Sequence, residues 1–198
     1  MRARLVAGLL LLLPAAGCSH TVGLDVAYPA AGVNRALLAS AAPRRVAVGP
    51  ITDRRRETRL GIEPESGKDI VTRRPVSEIV REALALEVGA NGHTAAPDQA
   101  DLTLAADVED FRLDVLRGYK HAQLVGKVVL AVMVTDARTG GVLLARRYAG
   151  VHRREAADES DRDPRETMDT ALARAMHDLA TDPDLARAFA GIAPAAAP

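Results

Sequence analysis

The sequence has no tryptophan, two phenylalanines, three tyrosines and a single cysteine. One cysteine excludes an internal disulfide and any cysteine-built metal cluster. Aromatics at 3% leave few stacking platforms for single-stranded nucleic acid or sugars. Neither sign of charge is in excess: 26 Lys+Arg meet 26 Asp+Glu, a formal net charge of zero. No global field draws the chain to nucleic acid, and no such partner is expected. Lysine is scarce, at Lys68, Lys120 and Lys127 alone, so nearly every base is arginine. What remains is 48% hydrophobic and 26% charged over 198 residues. That mixture is ordinary for a globular domain and too apolar for a disordered chain.

The amino terminus is the most specific stretch. Met1-Arg2-Ala3-Arg4 is basic, Leu5 to Leu13 is apolar, and Pro14-Ala15-Ala16-Gly17 leads to Cys18. A basic start, a short apolar run and small residues before a cut are the plan of a secretory signal. A plain cleaved signal with a chance cysteine fits the same plan. A retained membrane helix needs about 20 mainly apolar residues. Pro14, Gly17, Ser19, His20, Thr21 and Gly23 interrupt that length. Ala15-Ala16-Gly17-Cys18 is similar to the lipobox of bacterial lipoproteins, with Ala where Leu is commoner. This resemblance implies a diacylglycerol on the Cys18 sulfur, cleavage after Gly17 and an acyl group on the new amino terminus. Ser19 after the cysteine implies, by the same resemblance, passage to the outer membrane. More than one acyl chain gives stable anchoring, since each buried CH₂ contributes roughly 0.8 kcal/mol. Residues 1–17 are thus read as signal peptide and 18–43, rich in Ala, Gly and Pro, as a lipidated tether. Within that tether, 25–28 is a short extended piece.

The rest reads as one domain over 44–192, with a disordered tail over 193–198. Arg45 to Ile51 is a short apolar strand closed by turn residues. The polar connection from Thr52 to Arg74 is long for a loop. Leu60/Ile62 and Ile70/Val71 flank Pro64-Glu65-Ser66-Gly67, as in a small hairpin. Helical spacing of Val76, Ile79, Val80, Ala83, Leu84 and Val88 marks a helix from Pro75, stopping at Gly89 or Gly92. Asp101 to Leu113 alternates, with a phase change at Glu109-Asp110 that indicates a bulge. Val125 to Thr135 is apolar on both faces, the mark of a central strand. Asp136 to Gly141 is a turn, and Val142 to Val151 returns as the hairpin partner. His152 to Asp163 is charged and loop-like. Asp163, Pro164 and Glu166 form a capping-box start for a helix with Met168, Ala171, Leu172, Ala175, Met176 and Leu179 on one stripe. Asp182-Pro183 repeats that logic for a short helix to Phe189. The expected fold is α+β: a single two-layer domain of about four mostly antiparallel strands with two amphipathic helices on one face.

This order of elements resembles the YajG family of Gram-negative lipoproteins. The features that carry it are Cys18, the strand Val46-Ala47-Val48 leading into Asp53-Arg54-Arg55, and the helix from Val76 to Gly92. Asp101-Leu102-Thr103-Leu104, the long hairpin and the Asp182–Phe189 coda complete it. The likeness spans about residues 15–190 and is one of element pattern. It implies no catalytic residue and carries over no site beyond Cys18. Related architectures occur in auxiliary lipoproteins of lipid-transporting ABC systems.

Groups that could carry chemistry are scattered. His20, His93, His121, His152 and His177 show no metal-ligand spacing, so no metal site is expected. Glu155, Asp158, Glu159, Asp161 and Asp163 cluster in an arginine-interleaved stretch, the pattern of a solvated loop. There is no nucleophile elbow and no phosphate-binding loop, so no catalytic set and no cofactor is expected. The Asp53–Arg59 stretch is the densest charged segment. Arginine offers bidentate contacts to phosphate or carboxylate, so Arg54, Arg55, Arg56 and Arg59 are candidate contacts to an anion or an acidic partner. The plainer account is composition, because arginine replaces lysine throughout. The function expected is a membrane-anchored, periplasm-facing accessory domain that binds another envelope component without catalysis. The alternative is a lipid or hydrophobic-ligand carrier, such as an auxiliary subunit of an envelope ABC transport system. Its marker would be an apolar groove between helices and sheet.

Overall fold

The computed structural model describes residues 21–29, 35–118, 121–156 and 163–191. Its strands are β1 (Val22–Leu24), β2 (Arg45–Asp53), β3 (Gly61–Ile62), β4 (Asp69–Thr72), β5 (Thr94–Ala95), β6 (Leu102–Arg117), β7 (Ala122–Asp136) and β8 (Val142–Ala156). Its α-helices are α1 (Val76–Ala90), α2 (Pro164–Ala180) and α3 (Pro183–Phe189), with a 3-10 turn at Leu37–Ser40. Five strands form one sheet in the order β5-β2-β6-β7-β8, and three form a second in the order β1-β4-β3. The fold is α+β, a curled half-barrel with more strands than the sequence pattern announces.

Strict alternation builds the large sheet. Leu102, Leu104, Ala106 and Val108 of β6 are buried, and their neighbours lie on the opposite face. The register slips between Val108 and Asp110, where the phase change announced a bulge, and Phe111 and Leu113 regain the buried face. Leu124, Val128, Leu130, Val132 and Val134 of β7 share that face. Helix α2 lies over β7 and β8, and α1 lies over β2. Two glycines allow the close approach of α2. A Cβ on Gly126 would lie 2.8 Å from the Thr167 carbonyl oxygen. One on Gly150 would lie 2.0 Å from that of Ala171. The α2 start follows its local signals: Asp163 accepts a hydrogen bond from the Glu166 N–H at 2.8 Å, and Pro164 opens the first turn. The Glu166 side chain does not close the capping box; it pairs with Arg154 instead.

Several expectations are corrected. β2 does not end at Ile51 but runs to Asp53, shifting register between Val48 and Ile51, where Pro50 has no N–H to donate. It pairs parallel with β6 and β5, so the sheet is not a simple meander. β8 continues through residues expected to be a loop: His152 pairs with Gly126 and Ala156 with Ala122. Charge at alternate positions is compatible with a strand whose one face is solvated. β1 and β5 are three and two residues long, too short to show a period. The hairpin within 52–74 is present as β3 and β4.

The amino-terminal segment is also more than a leash. Val22–Leu24 pairs parallel with Ile70–Thr72, and Val26, Tyr28 and Leu38 belong to the core. Polar contacts fasten it along its length. The Ala27 N–H donates to Asp169 Oδ1 of α2 at 2.9 Å. Tyr28 Oη donates to Glu87 Oε2 of α1 at 2.5 Å, and the Ala36 N–H donates to Asn91 Oδ1 at 3.0 Å.

β8 is an edge strand, a place where bare backbone groups invite another chain. Two of its outward groups are capped from α2. The Ala149 N–H donates to Asp178 Oδ2 at 3.2 Å, and Arg174 Nη1 donates to the Val151 carbonyl at 2.6 Å.

Candidate functional site

Cys18 lies outside the described residues, as do Asp158, Glu159, Asp161 and the tail over 193–198. The arginine candidates lie on the connection from β2 to β3, which runs along the edge of β6. Arg55 is the most engaged. Its guanidinium donates to both Asp53 carboxylate oxygens, at 2.9 and 2.7 Å, and to the Phe111 carbonyl at 3.2 Å. Its side chain is only 7% exposed, so it is a clamp within the fold. Hydrogen bonds from Arg55 hold the Asp53 carboxyl below the usual carboxylate range. Arg54 faces Asp107 at 3.3 Å. Arg59 reaches Glu57 at 2.7 Å and Asp69 at 3.0 Å. Arg56 is exposed and, among the described residues, has no ion-pair partner. Three of the four arginines thus already hold carboxylates of this chain. Arg55, Arg56 and Arg59 flank a groove of about 670 Å³ between the connection and β6, with Leu60, Ile62 and Leu116 on its walls.

A second surface was not singled out by residue chemistry. The helices take one face of the large sheet, and on the other face stand Ala105 of β6, Val129, Ala131 and Met133 of β7, and Ala145 of β8. A shallow groove of about 610 Å³ runs over Ala105, Ala131, Met133 and Ala145, bordered by Asp107 and Arg147. Met133 is 42% exposed there. Arg147 is fixed beside it by a bidentate contact to Glu109, at 2.8 and 2.9 Å. The sequence pattern of β7, apolar on both faces, reads as a central strand, and β7 lies between β6 and β8. Among the described residues, one of its faces carries no helix.

Two buried clusters complete the inventory. Tyr148 Oη donates to Asp182 Oδ2 at 2.5 Å, and Arg146 Nη1 reaches Asp182 at 3.0 Å and Asp184 at 2.6 Å. Burial, then the bond to Asp182, raises the Tyr148 hydroxyl far above its ordinary range, so it stays protonated. This cluster latches α3 to β8, because Asp182 also caps the helix through the Asp184 N–H at 2.9 Å. His93 pins a second junction. Its Nδ1 accepts from the Arg44 N–H at 3.2 Å and its Nε2 donates to the Leu38 carbonyl at 3.1 Å, which assigns the neutral Nε2–H tautomer. The Phe189 ring lies 4.8 Å away. Burial lowers the His93 pKa. Sequence reading missed both clusters, since their partners lie tens of residues apart; only the Asp182 cap carried a local signal.

Among the described residues, no group of three or more His, Cys, Asp or Glu could hold a metal ion. No described helix is long and apolar enough to cross a membrane.

No family model matches the chain, and no curated protein matches it. Solved structures do. XCC0632 of Xanthomonas campestris, of family DUF330, is similar with a TM-score of 0.54 at 14% identity, over 81% of this chain and 90% of that one. A minor lipoprotein from Acinetobacter baumannii is similar at a TM-score of 0.40 and 12% identity, over 68% of this chain and 94% of that one. Lipoprotein GNA1162 from Neisseria meningitidis reaches 0.27 at 14% identity, over 59% and 87%. The first likeness is one of fold and brings no activity with it. None of the three is described as a YajG protein.

Proposed function

We propose that the chain is a lipid-anchored domain of a Gram-negative envelope that binds another envelope component and performs no chemistry of its own. The observation that carries this reading is the sheet face around Ala131, Met133 and Ala145 that no described helix covers, apolar at its centre and bordered by Asp107 and Arg147. An apolar centre with a charged rim is the anatomy of a protein–protein contact. The sequence Ala15-Ala16-Gly17-Cys18-Ser19 supports lipidation and the outer membrane, and the order of elements supports kinship with YajG-like lipoproteins. The carrier alternative requires a groove between helices and sheet. At Gly126 and Gly150 the α2 backbone comes too near the sheet for even a Cβ.

The test is in-cell photocrosslinking from position 133, followed by mass spectrometry, in native and Cys18→Ala backgrounds. A discrete protein adduct that disappears with Cys18→Ala is the expected result. A folded, envelope-located protein that gives no adduct from position 133 refutes the binding face. Ordinary palmitate labelling of Cys18→Ala refutes the anchor.

A further inference from the structure

We infer that one end of the domain rests directly on the lipid surface: the end made by the β3–β4 turn and the tip of β6, with Ile62 and Leu116 facing the bilayer. This rests on the proposed lipidation of Cys18 and deepens it by assigning an orientation.

The first constraint is length. The stretch read as a tether is not one, because β1 begins at Val22 and the chain beyond it is built into the core. Three residues lie between Cys18 and Val22, so four Cα–Cα steps span about 14 Å even fully extended. The headgroup layer of one leaflet is itself roughly 6 Å deep. Whatever surrounds the start of β1 is therefore held at the headgroups.

The second constraint is topology, which says what surrounds it. Val22 pairs with Ile70, and Ile70 with Gly61. One step nearer the anchor, Asp69 pairs with Ile62, and the turn over 63–68 closes the hairpin. β6 reaches the same place. The Leu113 N–H donates to the Leu60 carbonyl at 2.8 Å, and Arg117 pairs with Glu65 of the turn at 2.9 Å.

The third is chemistry. Ile62 is 44% exposed and Leu116 is 53% exposed, and both border the same groove. Aliphatic side chains left half in water at the anchored end are suited to the interfacial layer. The charges nearby are balanced, with Arg59, Lys68 and Arg117 set against Glu63, Glu65 and Asp69. Apolar contact and the short leash thus hold this end, with no need of anionic lipid.

The experiment uses the lipidated chain purified from membranes and returned to neutral phosphatidylcholine vesicles. In that protein the Cys18 sulfur carries the lipid, so an introduced cysteine is the one reactive thiol. Ile62→Cys, Leu116→Cys and Val142→Cys each receive an environment-sensitive fluorophore. Val142 is also exposed, at 56%, but lies at the opposite end of the long strands, about 45 Å away. Shallow brominated lipids are expected to quench positions 62 and 116 severalfold more than position 142, at any fraction of anionic lipid. An acylated, vesicle-bound protein with equal quenching at all three positions overturns the orientation and leaves the anchor standing. A chain whose mass shows no acyl group, and which does not float with vesicles, overturns the anchor and the orientation together.

Discussion

At Gly150 a Cβ would lie 2.0 Å from the Ala171 carbonyl oxygen and 2.5 Å from the Ala175 nitrogen, both of them backbone. Such contacts cannot be relieved by a side-chain rotation, so α2 must lift. Gly150→Ala is expected to destabilise by about 1–3 kcal/mol or more. Gly89, inside α1, has open space where a methyl group would stand, with nothing within 4 Å, and its φ is not left-handed. Gly89→Ala is expected to stabilise by about 0.5–1 kcal/mol. Urea midpoints of the two variants should therefore move in opposite directions, and movement in the same direction contradicts the packing described. The two displaced histidines set a pH dependence. Burial lowers His93, and burial together with Arg174 lowers His152, whose Nδ1 has no hydrogen-bond partner. A histidine depressed in the fold takes up its proton first in the unfolded chain. Stability is then full above the unfolded pKa of about 6.5 and falls as the pH drops below it. Asp169, raised by burial, acts in the opposite sense, starting from the lower carboxylate range. The urea midpoint should be lower at pH 5.5 than at pH 7.5, and His152→Gln should flatten part of that slope. A midpoint unchanged between the two pH values contradicts it.

Residues 21–29 and 35–44 act as an element in their own right, although they hold little regular structure. Their hold on α1 passes through Glu87, a carboxylate with no solvent exposure near the helix end where the dipole disfavours negative charge. Tyr28 Oη and the Asn91 amide, the latter at 3.1 Å, are among the groups that bond it there. Tyr28→Phe removes one buried hydrogen bond and leaves its acceptor short of a partner, at a cost of about 1–3 kcal/mol. Hydrogen exchange should then accelerate over residues 22–28 and the end of α1, while β7 is unaffected; acceleration spread evenly over the fold contradicts a local clamp. The same segment marks the limit of what the sequence makes legible. α1 and α2 are readable because cap, proline and stripe lie within one stretch of chain. The β6 bulge is readable because a period of two shows its own phase error. β1 is not, since three residues carry no period and the partner is Ile70, far along the chain. The extension of β8 through His152 is hidden for another reason: an edge strand with one wet face has the composition of a charged loop.

For the whole molecule, the candidate surfaces divide in the same way. The arginine cluster is conspicuous in the sequence, but nothing local says that Asp53, Asp107 and Asp69 answer three of its members. The apolar outer face of β7 is visible in the sequence as well, but there it says only that the strand is central, because a one-dimensional pattern cannot count the layers above a sheet. One consequence concerns how many molecules can gather rather than how one is built. A fifteen-residue strand at a sheet margin is a template, and copies crowded together could extend it without end. Asp178 and Arg174 occupy two outward groups in the middle of it, so a second copy pairing along that margin would have to displace them first. At high local concentration those two side chains stand between neighbouring copies and the backbone of that strand.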